Sequence, residues 1–146
     1  MNNNEVISIL NGLVDTCRRG QDVFRSAAET IRNSEFRRLF NIFAQQRSQF
    51  VSELQAEIHR LGGQAGKAAA TAGYENTLPF RSPATTDVRD EASIITDCQH
   101  GEETAVNDYQ EALKADLPLD VQYVVKRQYM DIKDAYDRIR ILQRAA

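Results

Sequence analysis

Apolar side chains recur about every seven residues in four long stretches of the chain, which is the spacing of a helix face that packs inside a bundle. In the first two stretches the recurring residues are Leu10, Cys17, Phe24 and Ile31, then Phe36, Phe43 and Phe50. In the last two the rows are Ile95, Glu102 and Tyr109, then Val121, Gln128, Ala135 and Leu142, in which Glu102 and Gln128 are the polar exceptions. The pattern predicts four helices, over about 4–32, 34–61, 89–115 and 118–143.

The connection between the second and third helices is predicted over 62–88, and it is too long for a tight turn between neighbours. A helix of this size is about 40 Å long, and an extended segment of this length reaches about 85 Å. We therefore predict an all-α four-helix bundle, one domain over 1–146, with a long crossover between helices 2 and 3. The alternative is a disordered linker between two helical hairpins. Tyr74, Leu78 and Phe80 favour a segment that packs in part on the bundle.

The two halves of the chain resemble each other, which predicts a duplicated helical hairpin. Cys17 and Gly20 are repeated 81 residues later as Cys98 and Gly101, and the second helix of each half aligns at an offset of 85. Glycine inside a helix costs about 1 kcal/mol relative to alanine. Two glycines at equivalent positions therefore predict a close helix approach or a local bulge, and the alternative is a pair of helix-surface glycines.

Composition excludes several classes of partner. The net charge of −3 leaves no basic surface for nucleic acid, and no apolar run has the 18 or so residues that a membrane span needs. The start of the chain lacks the charge and apolar core of a signal peptide, and two cysteines fit a reducing compartment, so we expect a cytoplasmic protein. Under the predicted two-fold, Cys17 and Cys98 lie about 12 Å apart along the bundle axis, too far for a disulfide.

Two dipeptides, Gly20-Gln21 and Gly101-Glu102, resemble the Gly-Glu of rubrerythrin-type ferritin-like proteins, in which the glutamate is a metal ligand. The overall layout more closely resembles a bacterial ferritin-like family of unknown function. The resemblance adds an Arg-x-Gln-Phe stretch before Glu-Leu, which begins at Arg47, and a closing Asp-Arg-Ile-Arg, which begins at Asp137. It covers 4–61 and 89–143 and implies the ferritin-like fold.

The resemblance also implies where the ligands of a di-metal centre would stand. These positions are occupied by Gln21, Gln46, Gln49, Glu102, Asp131 and Asp134. An iron or manganese pair needs carboxylates and imidazoles, whereas three of these residues are neutral amides and none is a histidine. His59 and His100 are spaced away from the ligand positions and are expected on the surface. We therefore predict a vestigial metal site and no cofactor.

The simplest structural interpretation of the six residues is a buried polar layer in which amides donate to carboxylates. Carboxyl groups gathered there would repel one another, so replacing Asp131 by Asn should be neutral or stabilising. Glu53 lies on the same face of the second helix, either as a displaced ligand or as a residue exposed near the end of the bundle. Tyr109 either hydrogen-bonds into the layer or belongs to the apolar core.

These observations favour a non-enzymatic ferritin-like bundle, associated with stress, that acts through self-association as a homo-oligomer or through an unidentified protein partner. The alternative is an oxidase or peroxidase with two iron or manganese ions held by Gln, Glu and Asp. A nucleic-acid-coating mini-ferritin is disfavoured by the charge and by the lack of a basic tail. Metal content after purification distinguishes the first two.

Overall fold

The computed structural model describes residues 1–63 and 90–145, which form four helices and no strand. The helices are α1 Asn3–Thr30, α2 Ser34–Arg60, α3 Glu91–Leu113 and α4 Leu119–Ala145. All eight observed helix ends lie within two residues of the predicted ones, because the rows of apolar residues extend over nearly the whole of each helix. Among these helices, none combines the length and the apolar character that crossing a membrane requires.

Side-chain caps define the helix starts. Asn2 and Glu5 form a capping box at the start of α1, with the Asn2 side chain accepting from the Glu5 amide at 2.9 Å. Asn33 caps α2, and Asp90 caps α3 by accepting from the Ser93 amide at 2.8 Å. Each cap satisfies an amide that the helix itself leaves without an acceptor.

Two glycines end α2. Gly62 has a φ of 88°, and its amide donates to the His59 carbonyl while the Gly63 amide donates to the Ile58 carbonyl. These two bonds are those of the Schellman motif, whose left-handed residue is usually glycine. The helix therefore ends where the sequence predicts, and the cause is the backbone conformation at Gly62.

Contacts between the helices establish the ferritin-like arrangement. The end of α2 meets the start of α4 through the ion pair Arg60–Asp120, and the start of α3 packs with the end of α1 and the start of α2 around Ile95. The end of α2 and the start of α3 therefore lie at opposite ends of the bundle, which agrees with the predicted arrangement of the helices. The predicted crossover over 62–88 lies, apart from its first two residues, outside the described residues.

The apolar core is divided into two clusters along the bundle axis. One contains residues of all four helices, and the first half of α1 and the second half of α2 contribute Val6, Leu10, Leu54 and Ile58 to it. The other lies at the opposite end and is aromatic, with the Phe24 ring 6.0 Å from that of Phe40 and 5.3 Å from that of Phe43. Polar residues occupy the level at which the two clusters meet.

A buried ion pair as the candidate functional site

An ion pair between α2 and α3 lies at the centre of the bundle. Arg47 donates from Nη1 and Nη2 to the two carboxylate oxygens of Glu102, each at 2.5 Å, and both side chains are 1% exposed. Burial acts to lower the pKa of Arg47, but the charge of Glu102 and its hydrogen bonds outweigh burial, and the pKa is raised. Two parallel charge-assisted bonds of this kind are among the strongest in proteins. They hold the guanidinium of Arg47 charged in the core.

Helix α1 provides the space that the guanidinium of Arg47 occupies. A Cβ atom added to Gly20 would lie 3.2 Å from Nη1 of Arg47, so any larger residue there would press on the guanidinium. The guanidinium carbon also stands 5.2 Å from the centre of the Phe24 ring, whose face attracts a cation. Nε of Arg47 is buried without a hydrogen-bond partner. Arg47 is thus fixed between a glycine, an aromatic ring and a carboxylate.

A second polar network extends from the core toward the surface. The Cys17 thiol lies 3.1 Å from the Tyr109 hydroxyl, which donates to Oε1 of Gln128 at 2.7 Å. Because the hydroxyl proton is used in that bond, the thiol is the donor to Tyr109. Nε2 of Gln128 donates in turn to Glu53 at 2.9 Å, and Arg127 donates to the same carboxylate at 2.8 Å.

Burial decides the protonation of this network. It raises the pKa of Cys17 to about 11, although the hydrogen bond to Tyr109 acts in the opposite direction. Burial also raises the pKa of Tyr109 well above its usual value. Both groups are neutral near pH 7, so Cys17 is a poor nucleophile. Their arrangement supports structure rather than thiol chemistry.

The six residues at the expected ligand positions do not form one buried layer. Glu102 is buried, and Gln21, Gln46 and Asp131 are half-buried. Gln49 is exposed, and Asp134 is 65% exposed and bound to Arg138 at 3.1 Å. The prediction that all six meet at mid-bundle is therefore wrong, and the repulsion on which the Asp131→Asn expectation rested does not arise at that site.

The physical reason for the error lies in the rotation of α2 and α4. On α4 the buried residues around these positions are Gln128, Ile132, Ala135 and Ile139, so Asp131 and Asp134 point away from the axis. On α2 the buried face passes through Arg47, one turn from both Phe43 and Phe50. This placement could have been found in the sequence, because Arg47 stands on the apolar seam that runs through the two phenylalanines.

The other polar predictions have mixed outcomes. His59 and His100 are exposed, as predicted. Glu53 is half-buried rather than exposed, and its carboxylate accepts hydrogen bonds from Gln128 and Arg127. Tyr109 combines both alternatives, since it is fully buried and hydrogen-bonded. Sequence reasoning missed the roles of Arg47 and Gln128, although Gln128 lies on a predicted seam.

The structure also shows where the two cysteines and the two helix glycines lie. Cys17 and Cys98 belong to different apolar clusters and are not joined by a disulfide. Gly20 allows the close approach that was expected of it, whereas a Cβ on the exposed Gly101 would meet only Val23, at 3.9 Å. The expected close contact is therefore confirmed for Gly20 and wrong for Gly101.

The residues present do not fit a di-metal centre. Within residues 1–63 and 90–145, no group of three or more His, Cys, Asp or Glu side chains is placed to share a metal ion. Glu102 is the buried carboxylate at mid-bundle, and Arg47 occupies both of its oxygens. A cation is thus already present beside the carboxylate, supplied by the chain itself.

Comparison with known proteins agrees with this architecture. The sequence profile described as "Domain of unknown function (DUF2383)" matches residues 5–115. A crystal structure from Anabaena variabilis, of a two-domain protein with DJ-1/ThiJ/PfpI-like and ferritin-like domains, superposes with a TM-score of 0.79 at 16% identity. The match covers 99% of this chain and 37% of that one, so this chain spans little more than a third of its length. No curated protein matches the sequence.

Proposed function

Because the chain belongs to the family of the domain of unknown function DUF2383, we propose that it is a non-enzymatic ferritin-like bundle in which an internal ion pair stands in place of a di-metal centre. The observation that carries the proposal is the pair Arg47–Glu102, buried and doubly hydrogen-bonded at mid-bundle. Such a protein acts through its outer surface, by self-association or by binding another protein.

The energetics of the pair favour this function over metal chemistry. A metal ion at Glu102 needs the carboxylate oxygens that Arg47 binds, so it would leave the guanidinium buried without its partner. Breaking a buried pair in this way costs about 3–5 kcal/mol. The neutral amides of Gln21 and Gln46 are weak ligands for iron or manganese, so their binding to the metal would not offset that cost. The bundle interior is therefore better suited to holding the helices together than to holding iron or manganese.

The structural relative supports the second part of the proposal. In the protein from Anabaena variabilis a ferritin-like domain shares one chain with a DJ-1/ThiJ/PfpI-like domain. A ferritin-like bundle can thus be joined to a separate folded unit, which favours a protein partner here. We place this protein in the cytoplasm, where reducing conditions keep Cys17 and Cys98 as thiols. We also propose that the protein is associated with the stress response.

Metal content tests the proposal directly. The full chain, purified without chelator, should contain far less than one iron or manganese per chain by elemental analysis, and anaerobic Fe(II) titration should show no saturable site. Glu102→Gln should leave this result unchanged. Two metal ions per chain that are lost in Glu102→Gln, but kept in the matched exposed variant Glu111→Gln of the same helix, would overturn the proposal in favour of the oxidase or peroxidase.

A further inference from the structure

The outer face of α4 carries an apolar stripe. Of the six exposed large apolar side chains in the described residues, four lie on this helix, namely Leu119, Tyr123, Met130 and Ile141, which are 62–84% exposed. At 3.6 residues per turn these four positions fall within an arc of about 40° and extend over about 33 Å. Apolar residues that line up on a solvent-facing helix side are typical of an interaction surface.

The stripe is self-complementary about Met130. Leu119 and Ile141 each lie eleven residues from Met130, and Tyr123 and Asp137 each lie seven. In an antiparallel pair of α4 helices with Met130 on the two-fold axis, residues equally far before and after Met130 face each other. Leu119 then packs on Ile141, and the Tyr123 hydroxyl is placed to donate to Asp137.

The charges near the stripe follow the same symmetry. Lys126 and Asp134 each lie four residues from Met130, so each lysine faces the aspartate of the other copy, which Arg138 also binds within its own chain. At the rim, Asp120 and Arg140 each lie ten residues away and face each other in the same way, although Asp120 also binds Arg60 of its own chain. One pair is unfavourable, because Lys133 faces Arg127, whose guanidinium is bound to Glu53 within its own chain.

From this pattern we infer that the outer face of α4 is a homodimer interface whose occupant is the α4 helix of a second, antiparallel copy. The interface is isologous, since the same patch serves both copies. The inference deepens the proposed function by naming the surface for self-association, and it rests on that proposal only for its biological meaning. One helix width over this length buries about 350–400 Å² per copy, which is small and gives a weak dimer with a micromolar dissociation constant.

Sedimentation equilibrium of the full chain tests the interface. The wild type should show a monomer–dimer equilibrium in the micromolar range. Met130→Glu places two carboxylates against each other at the two-fold axis and should weaken dimerisation at least tenfold. Ile42→Glu changes an equally apolar and 54% exposed residue on α2, and should leave the equilibrium unchanged. A wild type that is monomeric at 1 mM, or a dimer unaffected by Met130→Glu, overturns the inference.

Charge reversal tests the antiparallel register. Lys126→Glu and Asp134→Lys should each weaken dimerisation, because each places like charges opposite one another, while the double variant restores the wild-type constant. A double variant that is weaker than both single variants overturns the register. Circular dichroism on each variant confirms that the helices are retained.

Cross-linking provides an independent test. With Cys17 and Cys98 buried, Met130→Cys should form a disulfide-linked dimer under mild oxidation, because the two introduced thiols meet at the axis. Lys126→Cys should not, because its two copies lie about 12 Å apart along the helices. The reverse result overturns the antiparallel arrangement. Metal analysis of the same samples separates the two proposals: a metal-free monomer contradicts only the interface, and a metal-loaded dimer contradicts only the proposed function.

Discussion

Gly20 and Gly101 stand 81 residues apart at equivalent positions of the predicted repeat, yet their surroundings differ. Gly20 lies against the guanidinium of Arg47, whereas Gly101 is exposed on the outside of α3. The residue that follows Gly20 is a half-buried glutamine, and the residue that follows Gly101 is the buried Glu102. The first half of the chain thus contributes Arg47 and the space beside Gly20 that its guanidinium occupies. The second half contributes the carboxylate of Glu102.

The second helices of the two halves show the same contrast. At an offset of 85, Arg47 corresponds to Ile132, which is fully buried in the apolar core. A symmetric bundle with arginine at both positions would bury two cations, and one with isoleucine at both would leave Glu102 without a partner. The difference teaches that the central ion pair depends on the two halves having different residues at this position.

Removing one member of the ion pair should have the largest effect. Arg47→Met and Glu102→Leu should each lower the free energy of unfolding by about 3–5 kcal/mol, because each leaves a buried charge without compensation. The double variant should be close to the wild type, since both charges are then absent. Urea unfolding of the two single variants and the double variant measures this coupling.

The exposed pair Lys114–Glu111 on α3 provides the control, because its side chains are more than 70% exposed and screened by water. Its double-mutant cycle should show no measurable coupling. A cost below about 1 kcal/mol for either core variant would mean that water enters the site, which would contradict a dry ion pair.

The helices could be predicted from the sequence more reliably than the site. The seams through Phe24, Phe43 and Phe50 contain enough apolar residues to define which face is buried, so the helix bounds and packing follow. The partner of Arg47 could not be found in this way, because periodicity shows that a residue faces the core but not which charge lies across from it. Asp131 and Asp134 were misplaced because the family's ligand spacing was given more weight than the seam through Gln128 and Ala135.

The polar network around Cys17 contains two groups whose pKa is raised by burial, and alkaline pH should reveal it. The pKa of Cys17 is raised from 9.0 to about 11, mainly by burial. The folded protein keeps this proton at a pH where the unfolded chain releases it, so the stabilisation is present below pH 9 and is lost as pH rises toward 11. We expect wild-type stability to fall by about 2–3 kcal/mol more than that of Cys17→Ala over this range. Parallel pH profiles, measured by urea unfolding, would contradict the buried thiol.

The Tyr109 hydroxyl has no counterpart in the other half, where the equivalent residue is Ala28. Tyr109→Phe should reduce stability by about 1–3 kcal/mol, because Oε1 of Gln128 loses its donor inside the core. Tyr123→Phe removes a hydroxyl from an exposed tyrosine and should leave the stability of the monomer unchanged, measured by thermal unfolding at low protein concentration. Equal effects of the two substitutions would show that the Tyr109 hydrogen bond contributes no net stability.

Alanine substitutions at Gly20 and Gly101 should give the smallest changes in stability. They test the comparison of the two halves most directly. Alanine is better than glycine inside a helix by about 1 kcal/mol, so Gly101→Ala, at an exposed position, should stabilise the protein by about 0.5–1 kcal/mol. At Gly20 the same gain is opposed, because the new methyl group would lie 3.2 Å from Nη1 of Arg47. The guanidinium is held by two bonds to Glu102 and cannot easily move, so Gly20→Ala should be neutral or destabilising.

Repeating the alanine substitution at Gly20 in a variant without the ion pair separates crowding from helix propensity. In Arg47→Met/Glu102→Leu a flexible thioether replaces the fixed guanidinium, so the methyl group at position 20 can be accommodated. Gly20→Ala should then stabilise the protein by about the amount seen for Gly101→Ala in the wild type, roughly 0.5–1 kcal/mol, because only the helix-propensity gain remains. If Gly20→Ala stabilises the wild type as much as this variant, then Gly20 is not what makes room for Arg47, and the two halves differ less than their contacts indicate.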